Sequence, residues 1–478
     1  MNKQKPLQRR KLWVLLRSLS DQEQKKLATH ISCELRDSHP DAVKLFNNIQ
    51  GNPTRELLWT ATFPGESYKD VKFRKICFHL TSEVEKFIAI QGFLKDEDLK
   101  ELMLVRELNR REGDEKLFTP AFKKIWTKVK QKPLRGAPYH RMQYELLREQ
   151  FHYQIKHIPK HKRQHIGGVH HSFDLYWLHE KIILAISSLN HKLIGYQEIS
   201  SFLQDELLER VEAEIQFMNE PTLEILKTLY RLIVGKDESA ENLIEMVREY
   251  QEQFDEETYL NIYICLLNHY IRQSNITRNY QNRSKTLEMY VWGIEERLLF
   301  IDGFLPVNYF RNIIILGCQL QQLNLVQIYI DEYLDYLPFE EQEEAYIYGT
   351  ALIHYYKGEY QKTVLKLINR FKNVTFEAEG KSYLYTSQYE LDRTDDLEKD
   401  LRAYKIFLRN NKKLADRFRK NLLDFVIHFE KLLKHDNPQK LAELYQKVKE
   451  YKSISMQEWL LRHIELKLNR YPSEVLVR

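Results

Sequence analysis

The stretch Ala345–Leu391, AYIYGTALIHYYKGEYQKTVLKLINRFKNVTFEAEGKSYLYTSQYEL, decides how this chain folds. It reads as two helices, a turn and a third helix. Tyr346, Thr350, Ile353 and Tyr356 follow three- and four-residue steps, which places them together on a helix. Gly349 and Ala351 stand between them, and side chains that small let a neighbouring helix approach closely. Gly358 predicts the end of the first helix, because glycine takes the left-handed C-cap conformation at little cost. Glu359 and Tyr360 open the second helix, whose apolar face carries Val364, Leu365, Leu367, Ile368 and Phe371.

Working outward, the same hairpin pattern covers much of the chain. Ser20 and Glu23 form a capping-box pattern that predicts a helix from Asp21 to about Arg36. Short helices are expected at 41–49 and 53–62, then a turn at Phe63-Pro64-Gly65-Glu66 and a long helix from about 67 to 90. Gly113, Pro120, Pro133, Gly136 and Pro138 make residues 113–138 the densest breaker region, with one helix over about 120–131. A helix over 139–157 stops at Pro159, and Ile158–His170 reads as a basic loop. Helical stripes then recur to the end of the chain, including one at 196–218, with a polar connection over Arg272–Arg283. The paired stripes span roughly 30 to 45 residues, the range of helical solenoid repeats. No segment has strand periodicity. The expected organisation is an N-terminal helical domain over 1–112, a connecting segment over 113–138, and an α-solenoid of antiparallel helix pairs over 139–478.

Composition narrows the class. Glycine (15) and proline (13) are scarce for 478 residues, which disfavours long disordered or turn-rich β segments. Cys33, Cys77, Cys265 and Cys318 are widely spaced and read as small buried apolar residues, as suits a reducing cytosol. The basic N-terminus is followed only by the short apolar run Leu12–Leu16, too short for a secretory signal, and no window has the length of a membrane span. The expected location is the cytoplasm. The net charge of +5 says little, but its distribution is uneven. Residues 123–171 hold twelve Lys/Arg and seven His against two Glu, whereas 205–257 hold sixteen acidic residues against five basic.

Three constellations could carry chemistry. His157, His161 and His165 are four residues apart, with His170, His171 and His179 nearby, which is the spacing of a helical zinc site. Pro159 interrupts that helix, and four Lys/Arg with no carboxylate would oppose a cation, so a solvated basic loop is the simpler reading and no metal is expected. The same region is a better nucleic-acid patch. Lys123, Lys124, Lys128, Lys130, Lys132, Arg135 and Arg141 could contact phosphates, with Tyr139, Tyr144, Phe151 and Tyr153 stacking on bases. Aromatics in a helix more commonly face its core, which is the competing reading. Acidic runs such as Glu340, Glu341, Glu343 and Glu344 read as helix starts. No phosphate loop, dinucleotide fingerprint, serine elbow or kinase set is present, so neither an enzyme nor a cofactor is indicated.

Several segments carry a family resemblance. Lys357-Gly358-Glu359-Tyr360 is similar to the turn between the helices of tetratricopeptide repeats. KLWVLLRSLSDQEQKKLATHI followed by FPGESYKDVKFRKICFHLTSEVEKFIAI resembles the opening of an uncharacterised helical-repeat family of Bacteroidetes bacteria, with Phe63, Pro64, Gly65, Tyr68 and Arg74 at the matching positions. HYYKGEYQKTVLKLINRF, SYLYTSQYEL and LRAYKIFLRNNKKLADRFRKNLLDFVIHFEKLL extend the likeness to the C-terminal part. The resemblance implies a tetratricopeptide-like all-α fold and brings no catalytic residues with it.

The functional expectation is a non-enzymatic scaffold whose solenoid surface holds a protein or peptide. Its candidate binding residues are Tyr346, Thr350, Ile353, His354, Tyr383 and Gln388. The alternative is a nucleic-acid-binding regulator using residues 123–171.

Overall fold

A computed structural model describes residues 10–49, 54–111, 115–163, 166–193, 220–236, 239–277, 279–451 and 454–471. The helix expected at 196–218, His165 and Gly113 lie outside the described residues. The fold is all-α. The one β-type pairing among the described residues is the isolated bridge between Ile301 and Phe304, closed by a turn with Asp302 and Gly303 at positive φ. The chain forms two compact units, Met1–Trp177 and Leu178–Arg478, and the division falls inside the helix Gly167–Leu193.

The first unit contains helices α1 (Lys11–Arg17), α2 (Asp21–Glu34), α3 (Pro40–Asn47), α4 (Arg55–Thr62), α5 (Asp70–Lys95), α6 (Glu97–Arg110), α7 (Glu115–Gln131) and α8 (Ala137–His157), and the first part of α9 (Gly167–Leu193). The capping box at Ser20 forms as expected. The Glu23 amide donates to Ser20 Oγ and the Ser20 amide donates to the Glu23 carboxylate, which holds that carboxyl at about 2. Leu12, Leu27, Ile31, Leu45, Trp59, Phe73, Leu80 and Phe87 share one apolar cluster built by α1 to α5. A second cluster joins α6, α7 and α8 through Val105, Phe118, Ile125 and Leu146. The boundaries anticipated at 112 and 138 both fall within the span of this second cluster. Helix α7 starts at Glu115, ahead of Pro120, so the proline sits inside the helix and not at its opening. It removes one backbone donor, and the buried face of Phe118, Phe122, Ile125 and Val129 offsets that loss.

The Phe63-Pro64-Gly65 segment is a structural corner. Gly65 has φ +83°, which a side chain would strain, and the Glu66 amide donates to the Phe63 carbonyl at 3.1 Å. Trp59 Nε1 donates to the Glu66 carbonyl, Lys72 Nζ lies 4.3 Å above the Phe63 ring, and the Tyr68 hydroxyl and Arg74 both bond Asp70. The matching positions of the resemblance therefore lock the entry to α5.

The second unit comprises the rest of α9, then α10 (Pro221–Val234), α11 (Ala240–Glu249), α12 (Glu256–Thr277), α13 (Tyr280–Glu295), α14 (Val307–Gln319), α15 (Leu323–Tyr333), α16 (Phe339–Tyr356), α17 (Tyr360–Leu367), α18 (Val374–Glu390), α19 (Leu397–Asn410), α20 (Asp416–Lys434), α21 (Pro438–Lys449) and α22 (Gln457–Leu468). Successive helices pack as pairs: α12 with α13, α14 with α15, α16 with α17, α19 with α20, and α21 with α22. Alternate helices also touch, α14 with α16, α16 with α18, α18 with α20 and α20 with α22. Gly358 caps α16 in the left-handed conformation at φ +76°, and its amide donates to Tyr355 as the sequence predicts. Two expectations fail here. Arg272–Arg283 is not a polar connection, because α12 runs to Thr277 and α13 begins at Tyr280. Cys33 is exposed and not a core residue, while Cys265 and Cys318 are buried as expected, with thiols pushed up to about 12 by burial.

Burial of two histidines gives this unit a pH response. His428 is buried on α20, and His269 is partly buried on α12. Burial first, then Lys431 and Lys447 for His428 and Arg272 for His269, lowers each to about 4. Between the ordinary imidazole value of about 6.5 and about 4, the unfolded chain binds protons that the folded one refuses, so stability falls as pH falls through that window. The His428→Gln variant is expected to lose part of this dependence. The gap in melting temperature between pH 7 and pH 4.5 should narrow relative to the parent, and an unchanged gap would refute the assignment.

Candidate functional site

The second unit contains an open recess of about 840 Å³, lined by residues from Ile271 to Arg462. Its walls come from α12, α13, α14, α16, α18, α20 and α22, with Tyr360 at the start of α17. The alternate-helix packing sets α14, α16, α18, α20 and α22 each beside the next. Five helices far apart in sequence thereby turn residues toward one space.

Arginine and tyrosine dominate its chemistry. Arg311 Nε is 3.4 Å from Glu379, and its guanidinium lies 5.3 Å from the Phe418 ring centre. Both side chains of the ion pair are largely shielded, 17% and 16% exposed. Burial opposes the Arg311 charge, but Glu379 and the surrounding tyrosines outweigh it and raise the group above its ordinary value. Glu379 also accepts the Tyr348 hydroxyl at 2.7 Å. Asn312 accepts from Arg311 at 3.0 Å and donates to the Tyr290 hydroxyl at 2.9 Å, which continues the network to α13. Arg283 pairs with Glu458. Arg417 and Arg462 are exposed, and among the described residues neither has a carboxylate within ion-pair distance.

Four tyrosines, Tyr355, Tyr356, Tyr360 and Tyr383, complete one wall. Tyr355 meets Tyr383 edge-on at 4.9 Å and Tyr360 at 5.6 Å. Burial raises all four above the usual phenol range. A tyrosine hydroxyl is protonated at neutral pH, so the half-buried Tyr360 can donate to an acceptor in the recess. Beside the lining residue Trp459, Glu390 accepts from its Nε1 at 2.8 Å and bonds His463 Nε2 at 2.7 Å.

Of the six residues singled out in sequence, one lines the recess. Tyr383 does so. Tyr346 is exposed, beneath Lys366 Nζ at 5.7 Å, and does not line the recess. Thr350 and Ile353 are buried in the core, and the Thr350 hydroxyl is spent on the Tyr346 and Ile347 carbonyls of its own helix. His354 bonds Glu359 across the hairpin turn at 2.6 Å, and Gln388 is half-buried near the end of α18. A helix that packs on both sides keeps only a narrow strip free, and the periodicity of α16 does not say which strip. The recess residue with the clearest local signal is Arg311, the one charged side chain in the otherwise uncharged helix Val307–Gln319.

The basic segment is spread over several environments. Lys128 pairs with Glu101 at 3.1 Å, Lys132 pairs with Asp98, and Lys130 bonds Gln143 at 3.2 Å and sits over Trp126. Arg135 donates to the Lys132 and Leu134 carbonyls and lies 4.5 Å from the Tyr139 ring centre. Lys123, Lys124 and Arg141 are exposed. Tyr139 and Tyr153 are buried, and Tyr153 stacks on Phe118 at 4.0 Å, so neither ring offers a face to a base. His170 and His171 lie on α9 and not in a loop, His179 is buried against Thr222 at 2.9 Å, and no group of metal-ligating side chains occurs among the described residues.

No helix among the described residues is long and apolar enough to cross a membrane. A scan against protein-family models, a search of curated proteins and a search of solved structures each found no match to this chain.

Proposed function

We propose that this protein is a non-enzymatic, cytoplasmic scaffold whose second unit is a tetratricopeptide-like α-solenoid holding a protein or peptide segment in the recess. The proposal includes membership of the Bacteroidetes helical-repeat family that the N- and C-terminal segments resemble. The observation that carries the reading is the recess itself, lined by helices drawn from along the second unit, five of them packed in sequence as α14, α16, α18, α20 and α22. Stacked hairpins leave such a wall along their inner helices, and an extended segment lying on it makes many modest contacts. Its lining of tyrosine and arginine matches the side chains that dominate interface hot spots.

The test is a photo-crosslinker placed at Gln319, which lines the recess, or at Lys399, which is exposed elsewhere on the same unit. In native cytosol, Gln319 is expected to trap a discrete protein species that Lys399 does not. Equal trapping at both positions, or none at Gln319, would sink the reading.

A further inference from the structure

We propose that the segment held in the recess is acidic, and that Arg417 and Arg462 hold its carboxylates; this rests on the scaffold reading above. Four arginines and two glutamates line the cavity. Arg283 with Glu458 and Arg311 with Glu379 cancel as pairs, which leaves the charges of Arg417 and Arg462 uncompensated by the lining. Glu390 lies near Arg462 but outside the lining, and among the described residues it forms no ion pair with that arginine. A guanidinium fork matches a carboxylate with two parallel N–H donors, and the protonated hydroxyl of Tyr360 can donate a further bond.

A peptide fits this lining better than a nucleic acid does. With Arg283 and Arg311 already neutralised by Glu458 and Glu379, two uncompensated arginines remain in the lining, which suits the separate carboxylates of an acidic segment better than a continuous phosphate backbone. The side-chain amides of Gln319 and Gln321 provide both donors and acceptors, as a peptide backbone requires. Specificity then comes from the two arginines, which attract acidic segments and reject basic ones.

The experiment pans a random peptide library displayed on phage against the full chain, then measures the enriched peptides by fluorescence anisotropy. Enrichment in Asp and Glu is expected, with affinity falling as salt rises. Affinity should fall at least about tenfold in the Arg417→Glu, Arg462→Glu double variant, and by less in the double glutamine variant. Both arginines are exposed, so the melting temperature should hold in each. The double glutamate variant should instead select peptides rich in Lys and Arg. Enriched peptides without acidic bias, or binding unchanged in both variants, would overturn the acidic assignment while leaving the scaffold reading in place. No enrichment at all would remove both. Binding of oligo-dT or oligo-rU that is lost in the same variants would overturn the peptide assignment in favour of a nucleic acid.

Discussion

The Gly293→Ala variant is expected to be less stable by about 1–3 kcal/mol. A methyl group on Gly293 would overlap the Tyr263 phenol and come within 2.9 Å of Leu299 Cγ. Tyr263 is fully buried on α12, its hydroxyl donates to the Met289 carbonyl at 2.9 Å, and its ring meets Trp292 edge-on. It cannot retreat without breaking that bond and disturbing the ring contact. Overpacking of this kind costs about 1–3 kcal/mol, and the lost hydrogen bond adds about 1. The gain in helix propensity from glycine to alanine returns only about 1. Gly349→Ala is the contrasting case. There the new methyl would meet the terminal carbons of Ile330 at 2.8 Å and Ile314 at 3.0 Å, the far ends of flexible side chains. Its small packing cost and the propensity gain should nearly cancel. Thermal melts followed by circular dichroism separate the two, and equal melting temperatures would refute the argument.

The second large effect is expected at Glu379. Replacing it with glutamine keeps the shape and an acceptor for Tyr348, yet leaves the shielded Arg311 charge without its counter-ion. Removing one partner of a buried pair is far costlier than removing both, because the surviving charge is stranded away from water. The Glu379→Gln variant should lose about 3 kcal/mol. Adding Arg311→Met to Glu379→Gln should recover most of that loss, since no charge is then stranded and the glutamine still offers Tyr348 an acceptor. A double variant as unstable as the single one would show that Arg311 is held for reasons other than its charge. The result also bears on the recess, because Arg311 and Glu379 join its helices α14 and α18.

Much of the local architecture is legible in the residues alone. The three- and four-residue apolar steps mark the second unit as helical, and Gly358, Ser20 and Gly65 mark a helix end, a helix start and a turn where the structure has them. These signals are local: each depends on backbone conformations and hydrogen bonds within a few residues. The close approach at Gly349 was also foreseeable, since a small residue within an apolar helix leaves room for a neighbour.

The expected binding residues fared differently, and for one reason. Periodicity shows that Thr350, Ile353 and Tyr383 share buried or half-buried faces, but a helix packed against several neighbours has more than one such face. Only the arrangement of α14, α16, α18, α20 and α22 decides that Tyr383 looks into a recess while Ile353 looks into the core. The basic segment makes the same point with charge. Twelve cations counted along residues 123–171 suggest a patch, yet Asp98 and Glu101 come from another helix to neutralise two of them. What the sequence by itself determined about this protein is the set of helices and their caps, because those depend on neighbours in the chain. The tertiary structure alone decided that Arg283, Arg311, Arg417 and Arg462 share one cavity, because that depends on helices up to 179 residues apart packing side by side.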